Sequence, residues 1–220
     1  MLRDWIANGE KSLGLAIDAM TTSLESAPDT TYRRLAEKLI GTLSTNERVT
    51  ASLAAILDRR VGDIAMYEAA GITKAAALQT LTSLLDRKAL RDTPSGIEWV
   101  NPSVRAHAYV TILPSIRTLL HAVVLTELER RLKAGQEIPH LEIAWHSFRA
   151  GHANEGSGYL VAGAAAALRA GAPTEAERAL ESAMPEISQD EKARAAMLLA
   201  EALQEQARFD ESAKYLDIVS

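Results

Sequence analysis

Apolar residues recur at helical spacing along almost the whole chain, and only seven prolines interrupt them. That pattern makes a mainly α-helical fold the expectation. One stretch departs from it. In 89–101, ALRDTPSGIEWVN, Ile97 and Trp99 alternate with Glu98 beyond a Pro94-Ser95-Gly96 turn, with Leu90 on the other arm. Period-two alternation around turn-forming residues specifies a short β-hairpin.

Three helices are expected before that hairpin. Ser44 and Glu47 have the spacing of a capping box, opening a helix that runs to about Leu57. A short helix follows over roughly 63–69, and Gly71 ends it by accepting a left-handed backbone. Thr73 can cap a third helix with Ala77, Leu78, Leu81, Leu84 and Leu85 on one face. Three helices and then a hairpin is the order of a winged helix. Beyond it, Asn101 caps a helix with Pro102 in its first turn. Pro114 opens a long amphipathic helix with Ile116, Leu120, Val123, Val124, Leu128 and Leu132 inward, closed by Gly135 and Pro139.

From there small residues take close-packing positions, and three segments align: AGHANEGSGYL (150–160), AGAPTEAERAL (170–180) and QARFDESAKYL (206–216). Each joins two helices. In a tetratricopeptide repeat a small residue ends the first helix, a bulky one two positions on plugs the turn, and a small one three further on admits the second helix. Gly171, Pro173, Ala176 and Ala207, Phe209, Ser212 fill those places 36 residues apart, close to one repeat. Gly151, Ala153 and Gly156 lie 20 residues before the first of these sets, so one helix serves two pairs. A generic alanine-rich bundle is the alternative. Tyr215, Leu216, Ile218 and Val219 read as a face awaiting a neighbour, so the repeat array is expected to be incomplete at Ser220.

Composition removes several function classes. There are no cysteines, hence no disulfides, thiolate zinc sites or cysteine nucleophiles, as suits a reducing cytoplasm. No run of about 18 apolar residues exists, and the start MLRDWIANGEK lacks a signal-peptide pattern. A cytoplasmic chain with no membrane partner is expected. The net charge of −5 is uneven: residues 139–220 carry 7 basic and 13 acidic residues, against 12 and 10 in 45–138. Phosphate recognition needs clustered Lys and Arg, so the acidic third suits proteins better than nucleic acid.

The segments LSTNERVTASLAAIL (43–57), WVNPSVRAHAY (99–109), SIRTLLHAVVLTELERRL (115–132) and 142–180, with the helix-turn-helix and hairpin between them, have a family counterpart. In that order they resemble the region after the ATPase core in bacterial STAND-type signal-transduction ATPases, which include large transcriptional regulators. The resemblance covers roughly 30–216. It implies a P-loop core preceding this region, a winged helix that packs on the core as a nucleotide-dependent latch, and repeats that sense ligands or partner proteins. Two departures stand out. No G-x-x-x-x-G-K-[ST] occurs, GITK at 71–74 lacking the first glycine, so no backbone cradle for phosphates is expected. Asn101 stands where many relatives carry a histidine resembling an ADP-phosphate sensor; an amide donates a hydrogen bond but carries no imidazolium charge.

The resulting division is N-terminal helices over 1–43, standing as the tail of the absent core, a winged-helix-like domain over 44–110, a connecting helix over 111–138 and tetratricopeptide-like repeats over 139–220. Within 1–29, Leu13, Ile17, Met20 and Leu24 mark an amphipathic helix. No metal, cofactor or catalytic residue is expected. His140 and His146 fall on opposite sides of a helix, no H-E-x-x-H or G-x-S-x-G occurs, and acids in ELERR (127–131) and PTEAER (173–178) read as solvated charge.

The expected function is therefore non-catalytic: regulation and protein interaction, with the repeats taking a protein or peptide and the winged helix meeting an ATPase core of the same longer chain. A DNA-binding regulator is the alternative, with Lys74, Gln79, Arg87, Lys88 and Arg91 as contacts, offset by Asp86 and Asp92. Arg105 and Tyr109, neighbours on one helical face, are either core-docking residues or a local brace. Repeat-groove candidates are Trp145, Phe148, Arg149, Arg194 and Glu201, the two aromatics being alternatively core.

Overall fold

The structure, a computed structural model, describes residues 30–216. The amphipathic helix expected around Leu13–Leu24, and Ile218 and Val219, lie outside the described residues. Eleven α-helices and one two-stranded sheet follow in order: α1 (Thr30–Gly41), α2 (Thr45–Leu57), a 3-10 turn (Asp58–Arg60), α3 (Ile64–Ala69), α4 (Lys74–Asp86), β1 (Leu90–Thr93), β2 (Gly96–Trp99), α5 (Pro102–Val110), α6 (Pro114–Lys133), α7 (His140–Arg149), α8 (Ala153–Arg169), α9 (Pro173–Ala183), α10 (Gln189–Glu205) and α11 (Phe209–Leu216). Among the described residues no single helix is long and apolar enough to cross a membrane. The chain divides between Glu127 and Leu128, inside α6, into two compact units.

In the first unit, α2 begins as its sequence dictates. The Glu47 amide donates to Ser44 Oγ (3.3 Å), and the Ser44 amide donates to Glu47 Oε2 (2.8 Å), closing the capping box. Ser83 of α4 donates to the other Glu47 oxygen at 2.8 Å, so this local cap also joins two helices. The Ser44 amide, then the Ser83 and Ser44 hydroxyls, lower the Glu47 pKa from 4.5 to about 2. Since the folded value is the lower one, the carboxylate's contribution is complete above about pH 4.5 and is lost as pH falls toward 2. Melting curves of wild type and Glu47→Gln are expected to differ at neutral pH and to converge near pH 2; a constant difference would contradict this role.

Gly71 takes φ +78° and closes the turn before α4, and Thr73 Oγ1 accepts from the Ala76 amide. On α4 the buried set is Ala77, Thr80, Leu81 and Leu84. Leu78, expected on that face, is 45% exposed. The inward stripe lies about one position away from the apolar one, and Thr80 fills the place. In the hairpin, Leu90 pairs with Trp99, Arg91 with Glu98, Asp92 with Ile97 and Thr93 with Gly96. Leu90 and Trp99 are the buried ends of its inner face.

That inner face serves α2. A helix leaves its last four carbonyls without intrahelical partners, and Leu53 to Leu57 are all buried, so water cannot supply them. Trp99 Nε1 donates to the Ala54 carbonyl at 3.2 Å, and Arg105 Nε of α5 donates to the Ala55 carbonyl at 2.8 Å. Asn101 caps α5 through a 2.8 Å bond accepted from the Ser103 amide, with Pro102 in the first turn. On α6 the buried residues are His121, Val124, Leu125, Glu127 and Leu128. Leu120, Val123 and Leu132 are half-buried, whereas Ile116, expected inward, is 43% exposed because it lies well round the helix from that stripe.

The second unit is built from antiparallel helix pairs around Leu160, Ala164, Leu180, Leu199 and Leu203. A fully buried leucine contributes about 1.5–3 kcal/mol, so this row supplies much of the unit's cohesion. Three turns carry it. Gly151, Gly171 and Ala207 take φ values of +84°, +74° and +58°. Each is followed by the same pair of bonds: His152 N to Ser147 O with Gly151 N to Phe148 O, Ala172 N to Ala167 O with Gly171 N to Leu168 O, and Arg208 N to Leu203 O with Ala207 N to Gln204 O. These are Schellman closures. Five residues beyond each turn residue a small residue is buried: Gly156, Ala176 and Ser212. Phe209, expected to plug its turn, is instead 65% exposed, because Ser212 and half-buried Tyr215 occupy the inward side of α11.

Ala207 holds a left-handed conformation that suits glycine and costs a Cβ-bearing residue roughly 1 kcal/mol. Ala207→Gly is therefore expected to stabilise the chain by about 0.5–1 kcal/mol in urea unfolding, the relief of strain outweighing the entropy that glycine adds to the unfolded chain. Destabilisation would show that the turn is not strained.

Candidate interaction surfaces

The five cation and amide candidates of the first unit divide on α4 and the hairpin. Lys74 and Gln79 are exposed on α4 beside Ala75, Leu78 and Thr82. Arg87 is engaged internally: Nη1 donates to Thr42 Oγ1 at 2.7 Å, Nε to Ser83 Oγ at 3.3 Å, and Nη2 lies 3.9 Å from Glu47. Arg91 is held by Glu98 across the hairpin at 2.8 Å. Lys88 is exposed, in the positive-φ turn that ends α4. The exposed face of α4 thus mixes one lysine with alanine, leucine and threonine, which offers little to phosphate.

Arg105 and Tyr109 come together with α2 and α6 and turn inward. Arg105 is 7% exposed. Besides the Ala55 carbonyl it holds Asp58 Oδ1 through Nη1 at 2.7 Å. Desolvation lowers its pKa to about 10, opposed by Asp58, so it stays charged at neutral pH. Tyr109 Oη lies 3.0 Å from Nε2 of buried His121, and the Arg117 guanidinium stacks over its ring at 5.0 Å. These are the contacts of a brace. Asn101 is half-buried, with its side-chain oxygen committed to the α5 cap.

In the second unit Trp145 is buried, edge-on to His146 with centroids 4.6 Å apart, and Phe148 packs against the core. Both take the core alternative. Arg149 lies 3.8 Å from Glu186. Arg194 and Glu201 are exposed on α10, Arg194 bonding Glu191 at 3.1 Å and 3.2 Å. Ser157 fastens the α8 region to the turn before α10 by donating to the Ala153 carbonyl at 2.7 Å and accepting from the Ser188 amide at 2.8 Å.

Sequence reasoning missed a second tie. Glu177, expected as solvated charge, is 6% exposed and accepts from Gln206 Nε2 at 2.7 Å and from Arg208 Nη1. Arg208 also grips Glu211 through Nε at 2.7 Å and Nη2 at 2.6 Å, and these partners raise its pKa, Glu211 most. One pair thereby holds the turn of the next, 31 residues on. Burial, with the neighbouring Glu177 charge, raises the Glu181 pKa. Glu127, in the other segment read as solvated, is buried too. No single position signalled this, since a helical glutamate reads alike on either face until its neighbour helix is known.

Among the described residues no three His, Asp or Glu side chains converge as a metal site. What converges among the described residues is packing and ion pairing. By fold and surface the chain is a mainly helical protein with two compact units and exposed side chains on α4, α6, α10 and α11. It matches no protein-family model, no curated protein and no solved structure.

Proposed function

We propose that this chain is a non-catalytic regulatory and protein-interaction module of a signal-transduction ATPase or transcriptional regulator of the STAND type. In this reading the first unit is a winged helix used for protein packing, and the second a tetratricopeptide-like array that receives a protein or peptide partner. The observation that carries it is the recurring turn: positive φ at Gly151, Gly171 and Ala207, each followed by a buried small residue. Stacked pairs of that kind build surfaces for protein recognition. The order of three helices and a hairpin supports the other half.

Because Arg105 and Tyr109 face inward, the exposed apolar residues Leu113, just before α6, and Ile116 and Leu119 in its first turns are better suited to meet the ATPase core. Partner binding by the repeats would then bias that core between two states, a coupling free energy between sites. The test is biochemical. The P-loop ATPase encoded with this chain is assayed for ATP hydrolysis with and without it. A change of about fivefold or more, abolished by Leu119→Glu, is expected from a coupling of about 1 kcal/mol; an unchanged rate, or no such ATPase encoded with it, sinks the reading.

The exposed Lys74 and Gln79 keep a DNA-binding regulator as the second reading. It requires duplex binding with a steep salt slope. With Arg87 and Arg91 engaged by Glu47 and Glu98, no anisotropy change is expected with a labelled duplex in low salt at micromolar protein.

A further inference from the structure

The open flank of the last helix pair has chemistry of its own. On α11, Ser212 faces α10, where Gln204 Nε2 donates to it at 3.1 Å. Arg208 and Tyr215 lie on one side of Ser212 and reach α9 through Glu177 and Glu181. Phe209, Ala213 and Leu216, spaced i, i+4, i+7, lie on the other side and are exposed. Met197 stands seven residues before Gln204, hence on the same side of α10, and is 55% exposed. An apolar strip therefore runs along the α10–α11 seam, made of one aromatic, one thioether and one leucine. Glu201 and Glu205 are exposed on the outer edge of α10, and Asp210 on that of α11, against Lys214 as cation; Arg194 is tied to Glu191.

We infer that this strip is the docking site for an amphipathic helix whose apolar face meets Phe209 and Met197 and whose flanks carry Lys or Arg. The inference rests on the reading of the repeats as a protein-binding array and names the partner's class. Apolar anchors at i, i+3/i+4 and i+7 are what a helix offers such a seam, and phenylalanine and methionine adapt to them. The acidic rim selects the sign. It disfavours a second copy of this chain, because rims of like charge would face each other.

The test uses the 220-residue chain and three fluorescein-labelled peptides read by anisotropy: a Leu/Lys peptide with leucine at helical spacing, a scrambled peptide of the same composition, and a Leu/Glu version of the first. Binding of the first alone, in the range of tens of micromolar, is expected. Phe209→Ser and Met197→Gln should each raise Kd about fivefold or more while leaving the melting temperature unchanged, since both side chains are exposed. Equal binding of the scrambled or Glu peptide overturns the inference, as does an unchanged Kd in both variants. A dimer in sedimentation that Phe209→Ser abolishes also overturns it, in favour of a second copy. The ATPase assay reads the coupling separately, so failure here and failure of the functional reading are distinguishable.

Discussion

Gly163→Ala is expected to lower the stability of the second unit by about 3 kcal/mol and its melting temperature by roughly 10 °C. A Cβ at Gly163 on α8 would lie 2.7 Å from Leu141 Cδ2, 2.8 Å from Cγ and 2.9 Å from the Leu141 backbone nitrogen at the start of α7. A leucine side chain can rotate away, but a backbone nitrogen in a helix moves only with its helix. The two helices would have to separate, and the close packing between them would be lost. A methyl at Gly158 on the same helix would meet nothing within 4 Å, so Gly158→Ala should instead gain up to about 1 kcal/mol from helix propensity. Thermal melts of the two variants by circular dichroism are expected to shift in opposite directions. Equal shifts would mean that propensity, not contact between α7 and α8, governs both sites.

Arg105→Ala should cost about 3 kcal/mol, because it leaves the buried Ala55 carbonyl without its donor and Asp58 without its partner. Asp58 retains partial exposure, which keeps the loss at the lower end for a broken buried pair. Arg105→Lys is expected to recover only part of it. A single ammonium cannot match the fork that reaches Ala55 O at 2.8 Å and Asp58 Oδ1 at 2.7 Å together. Denaturant unfolding of the three proteins measures this. Full recovery by lysine would assign the residue's role to charge at the end of α2 rather than to geometry.

Local structure was the legible part. Ser44 with Glu47, Thr73, Asn101 with Pro102, and the turn glycines 71, 151 and 171 all act within a few residues of themselves, and each takes its expected place. The hairpin was legible for the same reason: alternation and turn chemistry are contained in 13 residues, 89–101. Surfaces were less so. Leu78 and Ile116 read as core from their spacing, yet the neighbouring elements settle which of two adjacent stripes is covered. Trp145 and Phe148 illustrate the converse, since an aromatic on a first helix serves groove or core depending on what packs beside it.

Helical class, the element order and the absence of cysteine chemistry were determined by the sequence alone, because periodicity, caps and composition are properties of short stretches and totals. Which carboxylates are buried was decided only by tertiary structure. Glu177 meets Arg208 from 31 residues away, and Arg105 supplies a carbonyl 50 residues earlier. So was the exposure of Phe209, the residue expected to plug its turn. Such pairings depend on which helix faces meet, and helical spacing by itself leaves neighbouring faces nearly equal in free energy until the partner helix covers one of them.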